Sequence, residues 1–300
     1  MASVVEIEDS ARLPEARRAE LQRALEEGKV LYLPRSPIPI GDEDREFLLG
    51  LRQSGAAYHK NIAYRPAADR VTGFAEERPG DAERLRAVLR RYSRESVALL
   101  AALFPSYPPS WKIDYASYRP LEEAGRDLSG TKRNDRMHVD AFPTRPTRGD
   151  RILRFFTNVN PADPRRWKTG AEVFPELAER YARASGLLAK AIRGGPAARA
   201  RAFAAALGLP VAAHSAYDRF MLLFHDWLKG NEEYQSGAAT DEFRFPPGSS
   251  WMVYTDTVSH AVLSGRFALE QTFLIGRASL ALPASAPIAV LEKLAGRALA

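Results

Sequence analysis

Strand-like runs fall into two blocks with a long helical stretch between them. In the first block, "SWKIDYASYRP" (Ser110–Pro120), "RMHVDAFP" (Arg136–Pro143) and "RILRFFTNVNP" (Arg151–Pro161) are β-branched or aromatic runs bounded by Pro, Gly and Asp, and they read as three successive strands. In the second, Glu242–Leu263 and Ala268–Ile275 resume the pattern, with Pro246-Pro247-Gly248 marking a turn. Residues 176–229 carry helical periodicity instead, broken at Gly194-Gly195-Pro196 and Gly208-Leu209-Pro210. A barrel begun in the first block must then be closed by a strand from the second. The expected fold is mainly β: a double-stranded β-helix (jelly-roll, cupin-like) core of strands at 110–161 and 242–276, with flanking N-terminal helices and a helical insertion.

Leu13, Ala16, Leu21, Ala24 and Leu25 fit one helical face that Gly28 stops, and "KVLYL" (Lys29–Leu33) reads as a short buried strand. A second helix follows Asp81, carries Leu85, Val88, Leu89, Tyr92, Leu99, Leu100 and Leu103, and closes at Pro105. Ile288, Leu291, Leu294 and Leu299 mark a C-terminal amphipathic helix that could graze a membrane. No repeat or low-complexity linker divides the chain, so residues 1–300 are expected to form a single domain.

Cysteine is absent, which removes disulfides, thiolate metal sites and cysteine nucleophiles and leaves His, Asp and Glu to hold any metal. The start lacks the apolar core of a secretory signal, and the longest apolar stretch, 97–104, is far below the ~20 residues that span a bilayer. A cytoplasmic location is expected, with at most peripheral contact at the cytoplasmic face of the inner membrane. A net charge of +6 favours an anionic partner, which composition alone does not identify.

Only five histidines occur, and two have the spacing of a metal site. His138-x-Asp140 places two ligands on one side of a strand, and His260 lies on a later strand suited to closing the barrel. Together they satisfy a 2-His-1-carboxylate triad, the arrangement that leaves open positions on non-heme iron. The plain alternative is a strand histidine satisfied by Thr257 or Ser259. Iron of this type usually needs 2-oxoglutarate, whose far carboxylate requires a fixed cation. Many such oxygenases place an arginine about ten residues after the distal histidine, but Glu270 and Gln271 stand there. Arg154, on the strand after His-x-Asp, is preferred over Arg266 in the turn after His260, with Asn158 and Asn160 alternating on the face of Arg154.

The remaining histidines define the competing readings. His59 and His214 read as solvated or capping residues, whereas His225-Asp226 on a helix is the core of HD-type metal-dependent phosphohydrolases. A basic nucleic-acid-binding protein is the non-enzymatic alternative, although no nucleic-acid motif is visible and no nucleic-acid partner is expected.

Asp114–Pro161, with "HVDAFPTRPTRG", and Phe245–Phe273, with "TDTVSHAVLSG", resemble the bacterial Kdo (3-deoxy-D-manno-oct-2-ulosonic acid) hydroxylases. The resemblance implies an Fe(II)- and 2-oxoglutarate-dependent dioxygenase, with ascorbate as reductant, that hydroxylates carbon 3 of Kdo in the lipopolysaccharide inner core. The product would be D-glycero-D-talo-oct-2-ulosonic acid, the partners dioxygen and a Kdo-containing lipid A or core precursor. By that match His138, Asp140 and His260 are the iron ligands. Lys132, Arg133, Arg136, Arg145 and Arg148 flank the pair and offer a cationic rim for an acidic sugar.

Overall fold

Thirteen strands can be followed through the described residues of the computed structural model, which are 4–55, 61–124, 133–209 and 211–300, with only the backbone at 199, 202 and 206. They are β1 (Val4–Glu6), β2 (Val30–Leu33), β3 (Arg52–Gln53), β4 (Ile62–Arg65), β5 (Arg70–Thr72), β6 (Phe74–Ala75) and β7 (Trp111–Arg119) in the first part of the chain. The rest are β8 (Arg151–Asn158), β9 (Arg165–Gly170), β10 (Thr240–Phe245), β11 (Ser250–Tyr254), β12 (His260–Ser264) and β13 (Ala268–Ile275). Eight form one sheet in the order β1-β2-β11-β8-β13-β7-β4-β5, and β10-β9-β12 form a second. The two sequence blocks do interleave, with β8 between β11 and β13 and antiparallel to both.

The helices cover the large sheet on its outer face and supply the insertion. α1 (Glu15–Glu26), α2 (Asp42–Gly50) and α3 (Asp81–Leu103) come first, then α4 (Phe174–Tyr181), α5 (Leu187–Arg193), α6 (Pro196–Ala206), α7 (Ala216–Gly230), α8 (Glu232–Gly237) and α9 (Pro287–Ala295). On β8, period-two alternation splits the work. Leu153 and Phe155 join the helix-covered core, where Phe155 stacks on Tyr92 of α3, while Arg154 and Phe156 face the space between the sheets. Phe156, Trp167, Phe245 and Trp251 fill one end of that space as a stacked aromatic plug. Each such fully buried ring contributes about 1.5–3 kcal/mol. The other end stays open and polar.

Three expectations need correction. Arg136–Pro143 is not a strand: His138 makes a single isolated bridge to His260, and Asp140 lies in irregular chain. The middle of the chain holds a further strand, β9, whose "RRWKTG" is too charged to stand out, yet it turns Trp167 and Thr169 inward. The C-terminal helix α9 buries Ile288 and Leu291 and packs on α4, so its apolar face is turned into the protein and away from any membrane. No helix among the described residues is long and apolar enough to cross a membrane.

Candidate metal centre

The His-x-Asp segment is held by backbone pairing to the chain around β12. His138 and His260 exchange N–H···O bonds of 3.0 and 2.9 Å, and the Asp140 N–H donates to Thr255 O at 2.7 Å. A single side chain holds the residue before His138 from the other direction. Gln235 of α8 accepts from the Met137 N–H at 2.9 Å and donates to the Met137 carbonyl at 2.9 Å. Downstream, Asp218 of α7 accepts from the N–H groups of Thr147 and Arg148, and Gly149 (φ 97°) has no room for a Cβ beside Ile288. This is why "HVDAFPTRPTRG" ends in a glycine.

His138, Asp140 and His260 are all buried, and one ligand atom from each lies within 4.8 Å of the others. Both rings have Nδ1 on a backbone carbonyl, 2.7 Å from Arg136 O and 2.9 Å from Val258 O. A carbonyl only accepts, so Nδ1 carries the proton and Nε2 presents a lone pair to the shared space. Trp167 stacks on His260 at 5.2 Å and fixes its plane.

The charge states suit a cation. Burial holds both imidazoles below their usual range, assisted for His138 by His260 and Lys229, so both are neutral near pH 7. Burial alone would raise Asp140, but Arg154 and the two imidazoles hold its carboxyl below the usual range, and its Oδ2 accepts no hydrogen bond. Two neutral imidazoles and one carboxylate with an unsatisfied buried oxygen match the donor set of a non-heme iron site.

Around the triad lies a cavity of about 630 Å³. Its wall on the large sheet comes from alternate residues: Tyr115, Ser117 and Arg119 of β7, Arg154 of β8, and Glu270 and Thr272 of β13. Glu270 sits opposite Ser117 on one side and Phe156 on the other, so it reaches the diagonal arginines of both neighbouring strands. Arg119 Nε lies 2.9 Å from Glu270, and Arg154 spans Glu270 at 3.1 Å and Asp140 at 3.0 Å. Burial would raise Glu270, but these two guanidinium groups pull it down to about 2.

The other anticipated residues divide. Arg145 lines the cavity, paired with Asp114 and lying over the Tyr115 and Phe142 rings. Arg133 is tied to Asp135, and Arg136 to Glu232; Arg148 is exposed, and none of the three lines the cavity. Lys132 and His59 lie outside the described residues. Asn158 shares the face of Arg154 but is a correction: its amide donates to Asp163 O and Phe245 O and its Oδ1 accepts from the Asn160 N–H, all in the turn after β8. Arg266 is another, since it donates to Pro120 O and lies over Phe267, off the cavity wall.

His225 sits edge-on to His138 at 5.1 Å in the cavity wall, hydrogen-bonded to Asp226, whose side chain is 59% exposed. Among the described residues the only metal-capable group is His138, Asp140 and His260, so His225-Asp226 does not form the core of a hydrolase site. Arg65, Arg119, Glu270, Gln235 and Trp167 were missed as site residues. The i, i+2 alternation of charge along β7 was the readable sign of Arg119.

A buried His-Asp-His group at the open end of a two-sheet β-core defines a cupin-like metalloenzyme, and similarity to known proteins narrows this. Residues 8–298 match the family model described as 3-deoxy-D-manno-oct-2-ulosonic acid (Kdo) hydroxylase. The chain is 35% identical to the Kdo hydroxylase KdoO, a non-heme Fe(II) alphaketoglutarate dependent dioxygenase, solved in complex with alphaketoglutarate and Fe(III). The TM-score is 0.86, over 99% of this chain and 97% of that one. Apo KdoO gives 36% and 0.87 with the same coverage, and the cobalt(II) complex 35% and 0.86. No curated protein sequence matches. The chain belongs to the Kdo hydroxylase family of non-heme Fe(II)/alphaketoglutarate-dependent dioxygenases.

Proposed function

We propose that this protein hydroxylates carbon 3 of a Kdo residue on a lipid A or core precursor, giving D-glycero-D-talo-oct-2-ulosonic acid, at the cytoplasmic face of the inner membrane. The observation that carries this is the His138, Asp140 and His260 group in a chain of this family. These three residues would hold Fe(II), with ascorbate keeping it reduced. Iron bound there, with 2-oxoglutarate and dioxygen, supplies an oxidant that inserts one oxygen atom into a C–H bond while 2-oxoglutarate leaves as succinate and carbon dioxide.

The protein's part is placement, since an oxidant of that strength selects poorly by itself. Arg154 stands beside Asp140 with its Nε–H unpartnered and is the cation we assign to the far carboxylate of 2-oxoglutarate. Of the rim residues, Arg145 is the one on the cavity wall, and with Arg65 it would receive the Kdo carboxylate. Residues 1–300 would work as one domain, since a single core cluster runs from Ile7 to Leu299.

The test is mass spectrometry of a Kdo-lipid A acceptor incubated with protein, Fe(II), 2-oxoglutarate and ascorbate. The acceptor should gain one oxygen and release succinate, and His138→Ala should do neither. Full turnover by that variant would overturn the metal assignment.

A further inference from the structure

Large apolar side chains are exposed in one cluster on the described surface. Phe203, Leu207, Leu209 and Val211 are 68%, 65%, 54% and 39% exposed, and the other such residue, Leu121 at 38%, is far away in sequence. Isolated exposed apolar residues are ordinary, but four in one short stretch at the end of α6 mark an interaction surface.

The charge around this stretch is one-sided. From Arg180 to Tyr217 the chain has no Asp or Glu and six Lys or Arg. Lys190, Arg193 and Arg201 line a groove beside α6, and none of them pairs with a carboxylate among the described residues. Arg180, by contrast, pairs with Glu172, and Arg219 is spent on the carbonyls of Ala191 and His214. Helical spacing puts Phe203 and Leu207 one turn apart on the face opposite the groove-lining Ala198 and Arg201, so they point outward. The groove also shares Pro143 and Thr144 with the wall of the metal cavity, so this surface is continuous with the cavity mouth.

We infer that the end of α6 and residues 207–211 dock on an anionic lipid bilayer. Phe203, Leu207 and Leu209 seat among the headgroups and upper acyl chains, while Lys190, Arg193 and Arg201 meet the lipid phosphates. A second copy of this chain is a poorer occupant, because it would set the same acid-free basic segment against itself. Docking in this way holds the cavity mouth beside the bilayer, which deepens and rests on the reading that the acceptor is lipid-linked. It also moves the membrane contact from α9, whose apolar face is buried, to α6.

The experiment is flotation of the full chain with phosphatidylglycerol-containing vesicles, with pure phosphatidylcholine vesicles as control, and no Kdo acceptor in either. Binding is therefore read separately from hydroxylation, and either reading can fail alone. The wild type should float with the anionic vesicles only, and added salt should weaken it. Phe203→Glu with Leu207→Glu should lower binding about tenfold or more, with circular dichroism confirming the fold. Exchanging the pair, Phe203→Leu with Leu207→Phe, should retain binding, because a bilayer reads apolar area and not shape. Undiminished binding by the Glu pair, or no wild-type binding, overturns the inference. So does loss of binding on the exchange, which indicates a shaped protein partner, or conversion of a dimer to a monomer by the Glu pair in light scattering.

Discussion

Arg151 and Arg154 stand three residues apart on β8 and point to opposite faces of the same sheet. Arg154 looks into the metal cavity and is shared by Asp140 and Glu270. Arg151 is fully buried on the helix side, where it donates to Glu26 O and Thr257 Oγ1, lies 3.9 Å from Asp256 and covers the Tyr254 ring at 3.7 Å. Residue type, strand and degree of pairing are alike. What differs is that the partners of Arg151 are all structural, whereas one partner of Arg154 is a carboxylate with an oxygen left for something else. A buried arginine is therefore no evidence of function until its partners are known.

The largest expected effect breaks the pair apart. Arg151→Met should cost about 3–5 kcal/mol of folding stability, because Asp256 is left buried without its cation. Urea unfolding measures this, and adding Asp256→Asn should recover much of the loss. Arg154→Met should do the reverse. Turnover should fall by about two to three orders of magnitude, as when one oriented charged donor is removed, while the unfolding midpoint moves less than for Arg151→Met. If the two variants showed the same stability loss and the same turnover, the contrast between the two faces would be empty.

A smaller effect separates the faces by pH. Burial pushes Asp256 up to about 6 against the pull of Arg151, whereas Glu270 on the cavity face is held at about 2. For Asp256 the folded state keeps a proton that the unfolded state has released, so stability falls as pH rises from about 4 to 6, by about 2–3 kcal/mol at most. For Glu270 the sign is opposite: its contribution is present above the unfolded carboxylate range and is lost as pH falls from about 4.5 towards 2. Unfolding free energies across pH 4–6 should therefore slope downward in the wild type and flatten in Asp256→Asn. A flat wild-type profile would refute the assignment.

The same two faces explain what was readable in the chain. His138, Asp140 and His260 are rare residue types at a spacing that chemistry restricts, and the two-block strand pattern required them to meet. Arg154 was reachable because it follows on the next strand. Arg119 and Glu270 were not, because their meaning lies in the register of β13 between β7 and β8, which no local pattern encodes. Strand β9 was hidden by its charge: Arg165 is buried against Gly265 O at 2.8 Å, so its alternation reads as polar on both faces. The supposed strand at Arg136–Pro143 was misread for the opposite reason, since its apolar residues are buried by a clamp and not by a ladder.

That clamp yields the smallest and most specific prediction. Gln235 uses its amide oxygen and nitrogen on the Met137 N–H and C=O, which would otherwise pair in a strand, and its Nε2 also reaches Leu228 O at 2.7 Å. It touches neither ligand side chain, yet it sets the path of the backbone one residue before His138. Gln235→Ala should weaken Fe(II) or Co(II) affinity about tenfold to a hundredfold, the range seen when groups that orient ligands are removed. Gln235→Glu, which keeps the acceptor for Met137 N–H but loses the donor to its carbonyl, should fall between Ala and wild type. Co(II) titration followed by its visible absorption reads affinity directly and separates this from a loss of turnover. A Gln235→Ala variant that lost stability but bound Co(II) as tightly as wild type would show that the clamp serves packing, leaving the backbone pairing with β12 to place His138 unaided.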